Sequence, residues 1–595
     1  MSSHAERYRF LDSMVVSSSG WRGVFGAEEN CGDHEVSEEK REVAAAAIYA
    51  IAETLAPESG DAEILLATDT RPTSPALADV AVSVFSCLGL TTRFLGVSPT
   101  PEVLAYATAL PRCAGFIIIT ASHNPVGHNG IKFGFGDGRV AGAAAAGAAA
   151  QRFRRLLSSD GAFAPVAGAL EFEDEVAAVR AKRELYKGEA REAYRARVIE
   201  TMLRSPLEER GERVLRQIQE AVKEEPLGIV IDFNGSARTE SIDISFLEAL
   251  GIRVEAINAT PGQIAHQIVP EGEGLEACKA ALSEAHRKDP AFQLGYTADN
   301  DGDRGNLVFI NPDTREAEEL HAQEVFALAA VAELSWYEGY RGDALPPALV
   351  VNGPTSLRVD EIAATWGAEL FRAEVGEANV VDRGGQLRGY QLVILGEGSN
   401  GGNITPPSQV RDPLSTVGAM IKLARSDAYY RWFEKRGLPM PEERQLMRLV
   451  RSLPGYTTTG AYEPRALLSI TSEEHGRLKA AYEALLPDAF ERLKTLLPDS
   501  LGIEGYRIVN YEGTRSSEGP GNRRGDERGG FKVELLDKAA RPRGFVWMRG
   551  SKTENAFRIM ADIASSDRDL EAMLLDWHAD LVRRADSRAS GHGIR

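Results

Sequence analysis

A carboxylate stands at every second position in Asp299-Asn300-Asp301-Gly302-Asp303, and Arg304 follows at once. In an extended or looping backbone that spacing lets three carboxylates converge on one hard cation, and all-oxygen donors suit Mg²⁺. An EF-hand needs Gly at its sixth position and Glu at its twelfth, where this stretch has Arg304 and Ile310, so that reading is excluded. A solvated acidic turn is the plainer alternative; the strand-like run Phe292 to Thr297 leading into the loop weighs against it. The second chemical stretch is Gly115 to Lys132, reading G-F-I-I-I-T-A-S-H-N-P-V-G-H-N-G-I-K. Phe116 to Thr120 predicts a buried parallel strand, and the turn-forming pairs Asn124-Pro125 and Asn129-Gly130 end it. Ser122 is therefore expected on an exposed turn at the carboxyl end of a strand, the edge where open α/β sheets bind ligands. A serine that only caps a helix or turn is an equally good reading of the pattern alone.

Three further clusters could hold anions or hydroxyls. Ser17 to Gly26 is a glycine-rich loop carrying Arg22, in which backbone amides and one guanidinium could approach an anion. Gly396-Glu397-Gly398-Ser399-Asn400 offers a carboxylate and a hydroxyl, a pair that suits adjacent sugar hydroxyls. Arg549, Ser551 and Thr553 stand at alternate positions with Arg558 beyond them, and such a set can enclose a phosphate dianion. The same residues would also start a helix, and the two readings are compatible.

The elements that must position these residues recur three times. Glu63 to Thr70, Leu227 to Gly235 and Pro347 to Gly353 each predict a strand, then a helix ended by glycine, a short strand, and a strand running into a polar loop. From the polar residue ending the first strand to the helix-stopping glycine the spacings are 20 (Asp69 to Gly89), 19 (Asp232 to Gly251) and 15 (Asn352 to Gly367). The alternation implies three related α/β domains with mixed, mostly parallel sheets, each offering one loop to a shared cleft. The boundaries are set at 1–205, 206–318, 319–452 and 453–595, carrying in turn the serine, metal, sugar and phosphate loops. Val140 to about Arg204, alanine-rich and then highly charged, reads as long surface helices; Ser516 to Gly530 reads as a mobile loop, and the tail after about Ala585 as disordered.

A chain of 595 residues is too long for one core. A net charge of −19 excludes a nucleic-acid partner as the first reading, because an acidic surface repels phosphodiesters. An anionic substrate must then be drawn in by local Arg and Lys clusters. The four cysteines, Cys31, Cys87, Cys113 and Cys278, form no C-x-x-C pair; Cys87 and Cys113 read as small core residues in a reduced setting. No apolar run approaches the ~20 residues of a membrane span, and the polar N-terminus lacks a signal-peptide core, so a cytoplasmic location is expected.

T-A-S-H-N-P followed by N-G-I-K resembles the active-site loop of the α-D-phosphohexomutase superfamily, the phosphoglucomutases and phosphomannomutases. Gly20-Trp21-Arg22-Gly23 is similar to that family's G-x-R-G loop, Asp299 to Arg304 to its D-x-D-x-D-R metal site, Gly396 to Ser399 to its G-E-x-S loop, and Arg549 to Glu554 to its R-x-S-x-T-E phosphate loop. The resemblance spans nearly the whole chain and implies a fourth, α+β domain beside the three related ones, all around a central cleft. It implies a phosphoserine at Ser122 and one Mg²⁺ per chain on Asp299, Asp301, Asp303 and the serine. Charge offset would come from Arg22, Arg304 and Lys132, with His123 beside the serine. Glu397, Ser399 and Glu377 would bind the sugar, and Arg549, Ser551, Thr553 and Arg558 its other phosphate. Asn400, Gly401, Glu377 and Asn555 depart from the family pattern; Gly401 and Glu377 stand where some members carry histidines, so Lys132 and Glu377 become the proton-transfer candidates. The implied reaction interconverts hexose 1-phosphate and 6-phosphate, glucose first, through a hexose 1,6-bisphosphate that also serves as activator. The implied protein is a monomer or homodimer without nucleic-acid or membrane partners. A phosphomannomutase, an aminosugar-phosphate mutase, a bisphosphate synthase and a non-catalytic sugar-phosphate sensor are the alternatives. A serine hydrolase is excluded, since no G-x-S-x-G elbow surrounds Ser122.

Overall fold

The computed structural model describes residues 2–17, 20–30, 32–56, 62–172, 174–204, 209–340, 345–399, 401–523, 529–550 and 557–590. By internal contacts the chain forms two compact units, Met1–Glu319 with Ile404–Gly418, and Leu320–Asn403 with Ala419–Arg595. The first unit thus takes in a short stretch from beyond the first part of the second.

In the first unit, Glu63–Thr68 lies between Thr91–Val97 and Cys113–Ile119 and is parallel to both. His128–Phe135 then returns antiparallel to Cys113–Ile119 and pairs with Gly20–Val24, which pairs with Val15–Ser17. The second sheet repeats the plan: Gly228–Asp232 is parallel to Arg253–Ile257 and Phe292–Ala298, and Gly305–Ile310 returns antiparallel, followed by Ala317–Glu319. The Ser122 and Asp299 loops are therefore the same turn of two similarly built sheets, each joining a buried parallel strand to its antiparallel return. Asp69 follows the central strand of the first sheet and Asp232 ends that of the second.

In the second unit Pro347–Asn352 is parallel to both Glu369–Ala373 and Gln391–Gly396, so a third parallel core carries the Glu397 loop at its carboxyl edge. Gly89, Gly251 and Gly367, the expected helix stops, have φ of +69°, +82° and +60°, the left-handed cap that glycine adopts without a Cβ penalty. The last sheet is antiparallel and seven-stranded. Helices His475–Lys494 and Arg568–Ala589 close its apolar face through Leu486, Phe490, Leu574 and Val582. The latter helix continues past Ala585, contrary to the expected frayed tail, because Asp586 accepts hydrogen bonds from the backbone of Thr471 and Ser472. Ser516 to Glu518, the start of the expected mobile loop, lie in the strand Arg515–Glu518, which pairs with Ile503–Glu512; residues 524–528 of the loop lie outside the described residues.

The helices of 140–204 are not merely a surface layer. Helix Ala143–Leu156 inserts Phe153 into the core, where its ring stacks on Trp21 with centroids 5.1 Å apart. Truncating such a buried ring costs about 3–5 kcal/mol, and here it would loosen the strand that carries Arg22. Helix Arg183–Leu203 buries Lys187, Ala190, Tyr194 and Val198. Lys187 Nζ donates to Glu102 at 2.6 Å, and the Tyr194 hydroxyl donates to the Asp412 carboxylate at 2.9 Å. Cys87 and Cys113 are half-buried rather than core, whereas Cys278 is buried; Cys31 lies outside the described residues.

Candidate active site

Ser122 occupies a left-handed backbone conformation, φ +53°, which is costly for a residue with a Cβ and persists only when its surroundings impose it. The surroundings do so. The Arg71 guanidinium donates to the carbonyls of Ser122 (2.8 Å), Asn124 (2.6 Å), His128 (3.0 Å) and Pro125, and its Nε is paired with Asp69 at 3.0 Å. Asp69 also accepts from Thr120 Oγ1 at 2.7 Å, and Thr120 Oγ1 accepts from Ser122 N at 2.8 Å. The expected exposed turn is thus a buried one: Ser122 is 2% exposed because this network and the Asp299 loop cover it.

Ser122 Oγ donates to Asp299 Oδ2 at 2.8 Å. The carboxylates of Asp299, Asp301 and Asp303 are all buried, with ligand oxygens within 4.8 Å of one another. Burial, then repulsion from Asp301 and Asp303, pushes the Asp299 carboxyl well above its ordinary range. Burial acts the same way on Asp303, but Lys132, Arg411 and Arg304 outweigh it and hold that carboxyl far below. Lys132 Nζ donates to Asp301 at 2.5 Å and Asp303 at 2.8 Å; burial opposes its charge, but the two carboxylates prevail and raise its affinity for the proton. Oδ1 of Asp301 and Oδ1 of Asp303 have no hydrogen-bond partner among the described residues. Buried, unpaired carboxylate oxygens are costly, and an all-oxygen donor set of this kind fits a Mg²⁺ ion.

The loop's own backbone is fastened elsewhere. Arg238 Nη1 donates to the Gly302 carbonyl at 2.8 Å, and Arg238 is paired with Asp243 (2.7 Å) and Asp412 (3.2 Å). Gly302 has φ +67°, and a Cβ there would meet Arg238 Cγ at 2.6 Å, so no larger residue fits. Thr100 N donates to the Asp301 carbonyl at 2.9 Å.

His123 Nδ1 lies 3.3 Å from Ser122 Oγ and accepts from Arg304 Nη1 at 3.1 Å. Burial, with Arg304 and Arg22 adding to it, holds the imidazole pKa well below its ordinary value, which keeps the ring neutral. Arg22 is half-buried, its charge opposed by burial and by Arg304 and favoured by Asp301 and Asp303, and it has no hydrogen-bond or ion-pair partner among the described residues. A desolvated guanidinium left in that state is suited to an incoming anion.

In the second unit Glu397 and Ser399 are 3% and 5% exposed. Asn352 Nδ2 donates to both, at 3.1 Å each, and Gly376 N donates to Glu397 Oε1 at 2.7 Å. Glu377 begins the helix Glu377–Gln386, where the helix dipole favours an anion. Arg549 and Arg558 are directly opposed across antiparallel strands. Like charges so placed cost stability unless an anion lies between them. Arg549 Nε is 3.4 Å from Glu374 Oε1, while Arg558 lies over the Tyr462 ring, 5.3 Å from its centroid. Ser551, Thr553 and Asn400 lie outside the described residues.

Sequence reasoning did not single out Arg71, Arg238, Arg411 or Glu374. Asn352 appeared in it only as a strand-end marker; the shared polar residue at that position of each repeat was the available signal.

Residues 14–158 match the family described as phosphoglucomutase/phosphomannomutase, alpha/beta/alpha domain I. The chain is 25% identical over 531 residues to a probable phosphoglucosamine mutase of Methanopyrus kandleri, covering 88% of this chain and 91% of that one. It is 26% identical over 515 residues to a phosphoglucomutase/phosphomannomutase of Thermococcus kodakarensis, covering 86% and 88%. It shares the fold of the Paramecium exocytosis-sensitive phosphoprotein parafusin, described as a phosphoglucomutase, in its open form, with a TM-score of 0.62 at 14% identity, over 97% and 95% of the two chains. Read with a serine against a buried aspartate triad, these likenesses give the conclusion: residues 14–158 carry domain I of the phosphoglucomutase/phosphomannomutase family, and the chain is similar to mutases of that family over most of its length.

Proposed function

We propose that this phosphohexomutase interconverts the 1- and 6-phosphates of an aminosugar, glucosamine phosphate, with the glucose and mannose phosphates as competing substrates. The observation that carries the mutase reading is Ser122 Oγ at 2.8 Å from Asp299 within the triad. The relative named a phosphoglucosamine mutase favours the aminosugar over the glucose expected from the loop motifs, and Glu377, added near Glu397, supplies a carboxylate for its ammonium group.

Phosphoryl transfer needs alignment and charge neutralisation more than covalent help. Ser122 carries the phosphoryl group. In the forward step the Oγ–P bond breaks as a sugar hydroxyl attacks, the hydroxyl proton ending on the departing Ser122 Oγ, and the resulting hexose 1,6-bisphosphate returns its other phosphate to Ser122 with the reverse proton movement. Arg71 keeps the serine backbone aligned for in-line attack. Arg22 and Arg304 offset charge on the phosphoryl oxygens. Lys132, held as an ammonium by Asp301 and Asp303, serves as a fixed cation rather than a proton acceptor. Neutral His123 accepts from Arg304 and so orients it. A Mg²⁺ on Asp299, Asp301 and Asp303 would supply Lewis-acid polarisation of the phosphoserine. Glu397 and Ser399 bind sugar hydroxyls, and Arg549 and Arg558 the phosphate that is not transferred. A cytoplasmic enzyme acting without membrane or nucleic-acid partners fits this reading, and no described helix is long and apolar enough to cross a membrane.

Intact mass after priming with hexose 1,6-bisphosphate tests the assignment. The wild type should gain one phosphoryl group and Ser122→Ala none, with turnover reduced by about 10⁴-fold or more. Stoichiometric labelling of Ser122→Ala would overturn it. Glucosamine 6-phosphate, glucose 1-phosphate and mannose 1-phosphate assayed side by side decide the sugar.

A further inference from the structure

The second unit contains a cavity of about 300 Å³, large enough for one small phosphorylated metabolite. Its wall carries Arg372, Arg383, Lys479, Arg515 and Arg523, against Glu512 as the sole carboxylate among the described lining residues. Two of these cations are uncommitted: neither Arg383 nor Arg515 has a carboxylate partner among the described residues, and Arg383 lies over the Phe371 ring, 5.1 Å from its centroid. Lys479 is 2% exposed and donates to the Gly529 carbonyl at 2.6 Å. Asn510, another wall residue, is 6% exposed, and its Oδ1 has no hydrogen-bond partner among the described residues. A buried acceptor without a donor costs about 1–3 kcal/mol, and a ligand hydroxyl would satisfy it. Cations alone would suit any anion; the orphaned acceptor asks for hydroxyl groups as well.

The cavity is not the Arg549 grip. Asn510 is paired across the sheet with Phe531, and Phe531 with Met548. The Asn510 strand is thus two strands from that of Arg549, roughly 10 Å at the ordinary inter-strand spacing. Glu374 lies between the two places, accepting from Gly530 N on the cavity wall and facing Arg549 with its other oxygen.

We infer that this cavity is a second anion site, separate from the Arg549 and Arg558 pair, that takes a small phosphomonoester bearing hydroxyl groups. Calorimetric titration of the full-length Arg549→Ala protein with ribose 5-phosphate tests it, because that background removes the other phosphate grip. Saturable binding should remain, and adding Arg383→Gln and Arg515→Gln should weaken it at least tenfold at unchanged Tm. In the otherwise wild-type protein the same two substitutions should leave hexose phosphate turnover intact, a readout independent of ribose 5-phosphate binding. Loss of binding in Arg549→Ala alone, or binding indifferent to Arg383→Gln and Arg515→Gln, overturns the site. Inorganic phosphate binding as tightly as ribose 5-phosphate overturns the hydroxyl-bearing class.

Discussion

The Ser122 and Asp299 loops sit at the same turn of two sheets with the same strand plan, yet they are held by different means. The first is held through its backbone: one guanidinium, Arg71, takes four carbonyls and stays charged at any accessible pH. The second has only its Gly302 carbonyl on a guanidinium, Arg238, with the Asn300 and Asp301 carbonyls on the backbone amides of Ala237 and Thr100, and its three carboxylates are balanced by charge against Lys132, Arg411 and Arg304. On the proposed function Ser122 is a nucleophile that must be aimed, which a rigid mount does. The triad, as the proposed cation site, must tolerate ions arriving and leaving, which a charge balance allows. The strand-end aspartates follow the same division, with Asp69 on Arg71 but Asp232 on a histidine, His266, at 2.9 Å.

The largest expected effect tests the mount. Arg71→Lys keeps the charge but loses the planar fork, so kcat should fall about 100-fold through misalignment alone, with phosphorylation of Ser122 slowed in proportion. Arg238→Lys should lower stability more than it lowers kcat. If Arg238→Lys reduced kcat more than Arg71→Lys, the division between the loops would fail. The charge balance is tested by Mg²⁺: at 100-fold excess over Kd a bound ion stabilises by about 2.7 kcal/mol, so Tm should rise with added Mg²⁺ in the wild type and not in Asp301→Ala. The smallest effect concerns His266. Burial opposes its protonation, but Asp232 and the Gln267 carbonyl outweigh burial and raise its pKa above the ordinary value. A raised native pKa stabilises fully below the unfolded value of about 6.5, and that stability is lost as pH climbs through the native pKa. The Tm deficit of His266→Gln should therefore be greatest under mildly acidic conditions and fade at alkaline pH; a constant deficit would refute a charged pair.

These differences explain what was legible in the sequence. The Asp299 triad is local, each carboxylate two residues from the next, so spacing alone revealed it. Ser122 was legible because turn-forming pairs follow an apolar strand. The mounts were not legible: Arg71 reaches carbonyls 51 to 57 residues away, and Arg238 meets Asp412 across 174 residues, distances at which no period or motif operates. The helices of 140–204 read as surface because their charged positions dominate the pattern, while the partner of Tyr194 is 218 residues distant. The three glycine helix stops were legible, since a left-handed cap requires only the residue itself.

The return of Ile404–Gly418 to the first unit has a consequence for biosynthesis. Arg411 and Asp412 supply charge to Asp303, Arg238 and Tyr194, so a nascent chain ending at residue 319 would bury those groups without their counterparts. The first unit cannot mature while the ribosome is still making the stretch before residue 404. A clone trimmed to the first 319 residues should accordingly be recovered as aggregate rather than as a half-enzyme.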